Sequence, residues 1–399
     1  MSAISPFLRP FYAMLKPAGP ACNLSCRYCY YTEKAALYPG APRVMDDALL
    51  DDFTRQYIEA QPGRQVLFTW HGGEPLLRPM SFYRRALELQ RRYARGRHVD
   101  NCLQTNGTLL TDEWCSFFRD EGFLIGISID GPRRLHDPLR QGSFDRVMRG
   151  IALLEKHGVE WNAMATVNSL NAPHPAEFYR FFKSIGCRYL QFTPVVERTS
   201  HAPGRLMAGG ERGGRLTPES VTPAAWGAFA CGVFDEWVRA DVGRVYVQLF
   251  DDTLACWAGV PPGVCSLAPV CGQAPALEAN GDLYSCDHFV FPPYRLGNIR
   301  GESLAAMMNG ARQQAFGLAK QAGLTRQCRE CRWLFACNGE CPRNRFATDC
   351  HGSPGHNYLC EGYRRYFAHV APCMDFMRAE LAAGRAPSGV MDWLRGQGG

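Results

Sequence analysis

Between residues 12 and 196 the chain repeats one pattern that leaves few folds open to it. Short apolar runs at 12–15, 66–70, 101–104, 125–129, 161–167 and 189–192 alternate with amphipathic stretches at 46–60, 81–94, 112–121, 144–157 and 175–185. Several stretches open on Asp or Ser, whose side chains cap a helix N-terminus. Strands separated by helices pair in parallel through right-handed crossovers, so the pattern predicts an α/β fold, a partial (β/α)6 barrel of the TIM type. In such sheets chemistry gathers at the C-terminal strand ends, where loops vary without disturbing the core. There lie His71-Gly72-Gly73-Glu74-Pro75 after the second run, Gln104-Thr105-Asn106-Gly107 after the third and Ser128-Ile129-Asp130-Gly131 after the fourth.

A barrel of this kind uses only part of 399 residues. We expect it over 8–240, a second domain over 250–362 and a helical cap with a Gly-rich tail over 363–399. Residues 198–222, rich in Gly, Pro, Ser and Arg, read as a long loop, and a helix over 223–240 follows. A composition of 46% hydrophobic and 21% charged residues is that of a globular chain, which excludes disorder over most of the length. The net charge of +6 is dispersed, and pairs such as Arg84-Arg85 and Arg91-Arg92 read as solvated helix faces, so no nucleic-acid partner is expected. No apolar stretch reaches the length of a bilayer span, and the first residues lack a continuous apolar signal region. The expected setting is the cytoplasm, away from membranes.

Eighteen cysteines in such a chain point to metal ligation rather than to disulfides. Cys102, Cys115, Cys187, Cys231, Cys256, Cys350 and Cys373 are scattered, most of them among apolar or helical patterns, and read as small buried hydrophobes. The others group. Cys22, Cys26 and Cys29 share one loop after the first strand, and three thiolates so spaced can hold three irons of a [4Fe-4S] cube, leaving the fourth open to a substrate. Zinc would normally take a fourth Cys or His, and none is near in sequence. Cys265, Cys271, Cys286, Cys328, Cys331, Cys337, Cys341 and Cys360 suffice for two fully ligated clusters that would carry electrons or brace the fold. A pair of structural zinc sites would need the same number of ligands.

The spacing Cys22-x3-Cys26-x2-Cys29, with Tyr28 before the last cysteine and Gly72-Gly73-Glu74-Pro75 after the second strand, resembles the radical S-adenosylmethionine (SAM) superfamily. That resemblance implies SAM chelated at the open iron and cleaved by one electron to a 5′-deoxyadenosyl radical. It also implies SAM contacts from Tyr28, Gly73, Ser128, Arg140 and Val196. Glycines without a Cβ allow close backbone approach, and a hydroxyl or guanidinium suits ribose or carboxylate. The later cysteines resemble the SPASM domain of peptide-modifying radical SAM enzymes. By that likeness Cys265, Cys271, Cys286 and Cys341 hold one auxiliary cluster, Cys328, Cys331, Cys337 and Cys360 the other, and the chain carries three [4Fe-4S] clusters in all.

Within that group KPAGPACNLSCRYCYY (16–31), QTNGTL (104–109), LQFTPVVER (190–198), CDH (286–288) and NYLCEGYRRYF (357–367) are similar to the anaerobic sulfatase-maturating enzymes. The resemblance implies oxidation of Cys or Ser in an unfolded or nascent sulfatase, within Cys/Ser-x-Pro/Ala-x-Arg, to Cα-formylglycine. A low-potential donor such as flavodoxin or ferredoxin would supply electrons. A SPASM maturase forming a thioether or carbon-carbon crosslink is the alternative. Asp287, next to Cys286 and after a strand over 280–286, matches the family's general base. A carboxylate there can take the thiol or hydroxyl proton once the Cβ hydrogen has gone, whereas otherwise it would be an Asp opening a turn. Tyr31 and His288 are the alternative proton acceptors.

Overall fold

The computed structural model describes residues 10–31, 34, 44–199 and 213–397. The chain divides into two compact units, each discontinuous in sequence: 1–128, 145–161 and 270–319 form the first, and 129–144, 162–269 and 320–399 the second.

The first unit carries four parallel strands, β1 (Met14–Leu15), β2 (Gln65–Trp70), β3 (His98–Thr105) and β4 (Leu124–Ser128). They alternate with α1 (Asp47–Ala60), α2 (Met80–Tyr93) and α3 (Asp112–Asp120), as the periodicity predicts. Asp46 caps α1 by accepting from the Leu49 N–H at 2.7 Å, and Thr111 caps α3 at the Trp114 N–H. The aromatic faces of β2 and α1 meet in the core, with Tyr57 stacked on Phe53 and edge-on to Phe68, both at 5.0 Å. β1 is shorter than the run at 12–15. Its free side is taken by Ala276–Leu277 in parallel, and Asp282–Tyr284 and Arg295–Asn298 continue outward antiparallel. Strands from the expected second domain thus extend the sheet of the expected barrel, and Asp282–Tyr284 is the kernel of the strand read over 280–286.

In the second unit β5 (Trp161–Val167), which enters from the first unit at Trp161, pairs in parallel with β6 (Tyr189–Pro194), and β6 with Tyr246–Val247. The helix Pro223–Ala240, capped by Thr222, lies against Cys360–Ala382. Their crossing is close because both contribute glycine: a Cβ on Gly227 would meet Gly362 Cα at 2.8 Å, and one on Gly362 would meet the Pro223 carbonyl at 2.3 Å. The helical stretch expected from 363 begins at Cys360 instead, so the last of the grouped cysteines sits in its first turn, and a further helix, Val390–Gln397, follows. The loop read over 198–222 holds a short ribbon, Arg198–Thr199 against Arg215–Leu216, while 200–212 lie outside the described residues. Arg198 fixes that ribbon by donating to the Gly213 carbonyl at 2.9 Å and lying over the Phe346 ring. Among the described residues no helix is long and apolar enough to cross a membrane.

Candidate active site and cluster ligands

In the first unit Glu74 ties the loop after β2 to the loop after β3. Its buried carboxylate accepts from Thr105 Oγ1 at 2.8 Å, from the Asn106 N–H at 2.9 Å and from the Leu76 N–H at 2.9 Å. Burial pushes this carboxyl up to about 7, and the three donors work against that shift. Asn106 then reaches the cysteine loop, donating from Nδ2 to Asn23 Oδ1 at 2.8 Å and to Cys22 Sγ at 3.8 Å. Leu24 N–H adds a second donor to Cys22 Sγ, at 3.4 Å. Cys22, Cys26 and Cys29 are all free thiols, as three ligands of one cluster should be.

Gly73 serves this junction in a way the sequence did not suggest. A Cβ there would lie 2.0 Å from the Ala21 carbonyl oxygen and 2.8 Å from that of Pro20. The missing side chain therefore lets the Gly72–Glu74 backbone dock on the cysteine loop, with Gly73 N–H on Gly19 O at 3.0 Å and Glu74 N–H on Ala21 O at 2.8 Å. Nearby, Tyr28 is buried and half-buried Ser128 accepts from Gln104 Nε2 at 2.9 Å. In the second unit Arg140 is locked onto Asp130 by two hydrogen bonds, Nε to Oδ2 at 2.7 Å and Nη2 to Oδ1 at 3.1 Å, and Val196 is buried just past β6.

Asp287 is buried in the first unit and paired with Lys16, which is itself wholly buried. Tyr30 donates its hydroxyl to the other carboxylate oxygen. Lys16 Nζ also stands 3.0 Å from His71 Nδ1, an atom that accepts the Gly72 N–H at 2.8 Å. Both donors point at Nδ1, so the ring proton resides on Nε2. Burial, followed by the Lys16 ammonium, pulls His71 down to about 3 and keeps it neutral. For Asp287 burial favours the protonated acid, but the Lys16 ammonium leads the opposing influences and the carboxyl is held well below the usual range. Tyr31 donates to both oxygens of buried Glu278 at 2.7 Å, and His288 packs edge-on to Tyr30 at 5.5 Å. The sequence reading missed Lys16, Tyr30, His71 and Glu278. The one available signal was a lysine closing a strand directly before the cysteine loop.

The later cysteines are held by polar straps. In the first unit Gln313 Nε2 donates to the Gly272 carbonyl at 2.9 Å and the Ser285 carbonyl at 3.0 Å, joining the segments of Cys271 and Cys286. In the second, Lys320 Nζ donates to the carbonyls of Cys265 and Ser266 at 2.8 and 2.7 Å. Between Cys337 and Cys341, Asn338, Gly339 and Glu340 all have positive φ (47°, 70° and 52°), and Arg345 clamps that run through the carbonyls of all three and of Lys320. Cys328, Cys331, Cys337 and Cys360 line one cavity of about 420 Å³. Burial, then Cys360, pushes the Cys337 thiol up to about 12, and burial, then Cys328 and Cys331, does the same to Cys360. Thiols so crowded resist ionising alone, and a cationic cluster relieves that cost. Among the described residues no group of three or more His, Cys, Asp or Glu is placed around a single ion. A cubane has a different requirement, since each thiolate binds a separate corner.

A model of the radical SAM superfamily matches residues 17–182, and one of an iron-sulfur cluster-binding domain, SPASM, matches 270–332. The chain is similar to a serine-type anaerobic sulfatase-maturating enzyme of Bacteroides thetaiotaomicron, with 57% identity over 98% of this chain and 97% of the relative. A serine-type enzyme of Klebsiella aerogenes shares 39% over 92% and 87%, and a cysteine-type enzyme of Clostridium novyi 30% over 92% and 97%. Among solved structures it is similar to "Native anSMEcpe with bound AdoMet and Cp18Cys peptide", with a TM-score of 0.82 and 28% identity over 93% of this chain and 99% of that one.

Proposed function

This chain belongs to the anaerobic sulfatase-maturating enzymes of the radical SAM superfamily, with a parallel central sheet and a SPASM domain, and on that premise we propose that it oxidises a serine of a sulfatase polypeptide to Cα-formylglycine. The single observation that carries the choice of serine is the gradient of identity, 57% and 39% to serine-type enzymes against 30% to a cysteine-type one.

Iron-sulfur clusters and SAM, when bound, supply removal of the Cβ hydrogen atom and a route for one electron. The chain's own residues must complete the oxidation. After the Cβ hydrogen leaves, the serine hydroxyl still has to lose its proton before the carbon-oxygen double bond forms. Asp287 is our assigned acceptor, because Lys16 keeps it ionised and because it stands beside Cys286 on a fixed turn. Lys16 occupies one carboxylate oxygen and Tyr30 the other, so the carboxylate is oriented before a substrate arrives. Neutral His71 adds no competing charge.

Three [4Fe-4S] clusters are inferred, one on Cys22, Cys26 and Cys29 and two on the eight later cysteines in the division given above. The cavity lined by Cys328, Cys331, Cys337 and Cys360 supports one of those sets. Tyr28, Gly73, Ser128, Arg140 and Val196 are the inferred SAM contacts, carried from the family. A cytoplasmic setting, a flavodoxin- or ferredoxin-type donor, no nucleic-acid partner and division at 240/250 and 362/363 complete the reading.

The test is a serine peptide bearing the sulfatase motif, incubated anaerobically with reconstituted enzyme, SAM and reductant. The product should lose two hydrogens and react with a hydrazine, as an aldehyde does. A product with the same mass loss but no hydrazine adduct would favour a crosslinking maturase instead.

A further inference from the structure

Within the second unit, Cys328 makes a contact that sulfatase maturation does not account for. His356 is 5% exposed, and its Nδ1 lies 3.0 Å from Thr325 Oγ1 and 3.5 Å from Cys328 Sγ. The direction of these bonds follows from proton counting. Read as a cluster ligand, Cys328 is a thiolate with no hydrogen to give, so it can only accept. A hydrogen bond between its sulfur and His356 Nδ1 therefore places the hydrogen on Nδ1, where Thr325 Oγ1 also lies within reach to share it.

We propose that His356, held beside Thr325, donates an N–H···S hydrogen bond to the Cys328 thiolate and so raises the reduction potential of the cluster that Cys328, Cys331, Cys337 and Cys360 hold. The proposal rests on the reading of those four cysteines as ligands. An N–H aimed at a ligand sulfur draws off charge that accumulates on reduction, which stabilises the reduced state. His356 is a positioning residue for electron flow and touches no substrate.

The experiment is redox titration of the full-length, anaerobically reconstituted protein, followed by electron paramagnetic resonance. His356→Phe keeps an aromatic ring and removes the donor, and His356→Gln keeps an N–H. One cluster should shift to a more negative midpoint in His356→Phe, the others should stay put, and His356→Gln should recover most of the shift. Should His356→Phe fail to load iron, the wild type labelled with 15N-histidine decides by pulsed resonance: a weak 15N coupling present in it and lost in His356→Gln supports the bond. Full iron with an unchanged midpoint in His356→Phe, or no such coupling in the wild type, overturns it. A Cys328→Ala protein with wild-type iron content would instead overturn the ligand reading beneath it.

Discussion

Lys16 and Asp287 form an ion pair with side-chain exposures of 0% and 8%, reached from the end of a two-residue strand on one side and the turn after Cys286 on the other. Neither charge has solvent to fall back on, so each is the other's counter-ion in place of water.

Removing one partner should therefore cost more than removing both. Lys16→Met leaves Asp287 buried without its counter-ion, and we expect a loss of about 3–5 kcal/mol of stability in the iron-free protein. The double variant Lys16→Met with Asp287→Asn should recover a large part of that loss. Urea titration of the single and double variants measures the coupling, and simple additivity would remove the pair from any account of stability.

Asp287→Asn separates the two halves of the oxidation. Hydrogen-atom removal needs no carboxylate, so 5′-deoxyadenosine should still form and should still take up deuterium from a Cβ-labelled peptide. Formylglycine should fall by about 100-fold or more, the range a positioned base contributes. Undiminished formylglycine would transfer the role to another group, and buried Glu278 with Tyr31, which feels the Asp287 charge, is a candidate.

Glu278 gives a pH dependence of defined sign. Burial raises its carboxyl from 4.5 to about 7, so the folded state favours the protonated acid. Its contribution is complete below the unfolded value and fades as pH rises through 7, by an amount on the order of 3 kcal/mol at most. The iron-free wild type should lose thermal stability between about pH 4.5 and 7 more steeply than Glu278→Gln. Parallel curves for the two proteins would contradict the assignment.

Gly73→Ala tests the docking of the second strand's loop on the cysteine loop. The added methyl would lie 2.0 Å from the Ala21 carbonyl oxygen, a distance only backbone movement relieves. Iron should fall by about four atoms per chain, matching the loss in a Cys22, Cys26 and Cys29 triple alanine variant, with SAM cleavage abolished in both. Iron analysis beside a deoxyadenosine assay reads this directly.

What could be read from the sequence was whatever is local. The cysteine spacing, the Gly72–Pro75 turn and the strand-helix alternation each occupy one short window, and all are found where the pattern put them. Lys16, Glu278 and Asp287 come together because Ala276–Leu277 pairs with β1, a contact between distant segments with only two residues on each side. No periodicity resolves so short a strand, so the polar cluster it assembles stayed hidden. Gly73 was legible as a close approach but not as to what, because its neighbour is backbone from the cysteine loop. The ribbon at Arg198–Thr199 was hidden by composition, since Gly, Pro and Ser surround it.

The run of left-handed residues at 338–340 bears on how this protein comes to life. Such a conformation costs a non-glycine residue roughly 1–2 kcal/mol, and here Asn338 and Glu340 both adopt it. Arg345 holds it with hydrogen bonds drawn wholly from the polypeptide, none of which waits for iron. With Cys337 and Cys341 as the proposed cluster ligands, their segment would be a mould set before casting. A chain stripped of its clusters by oxygen would keep this shape, and repair would amount to refilling a standing site rather than refolding a molecule.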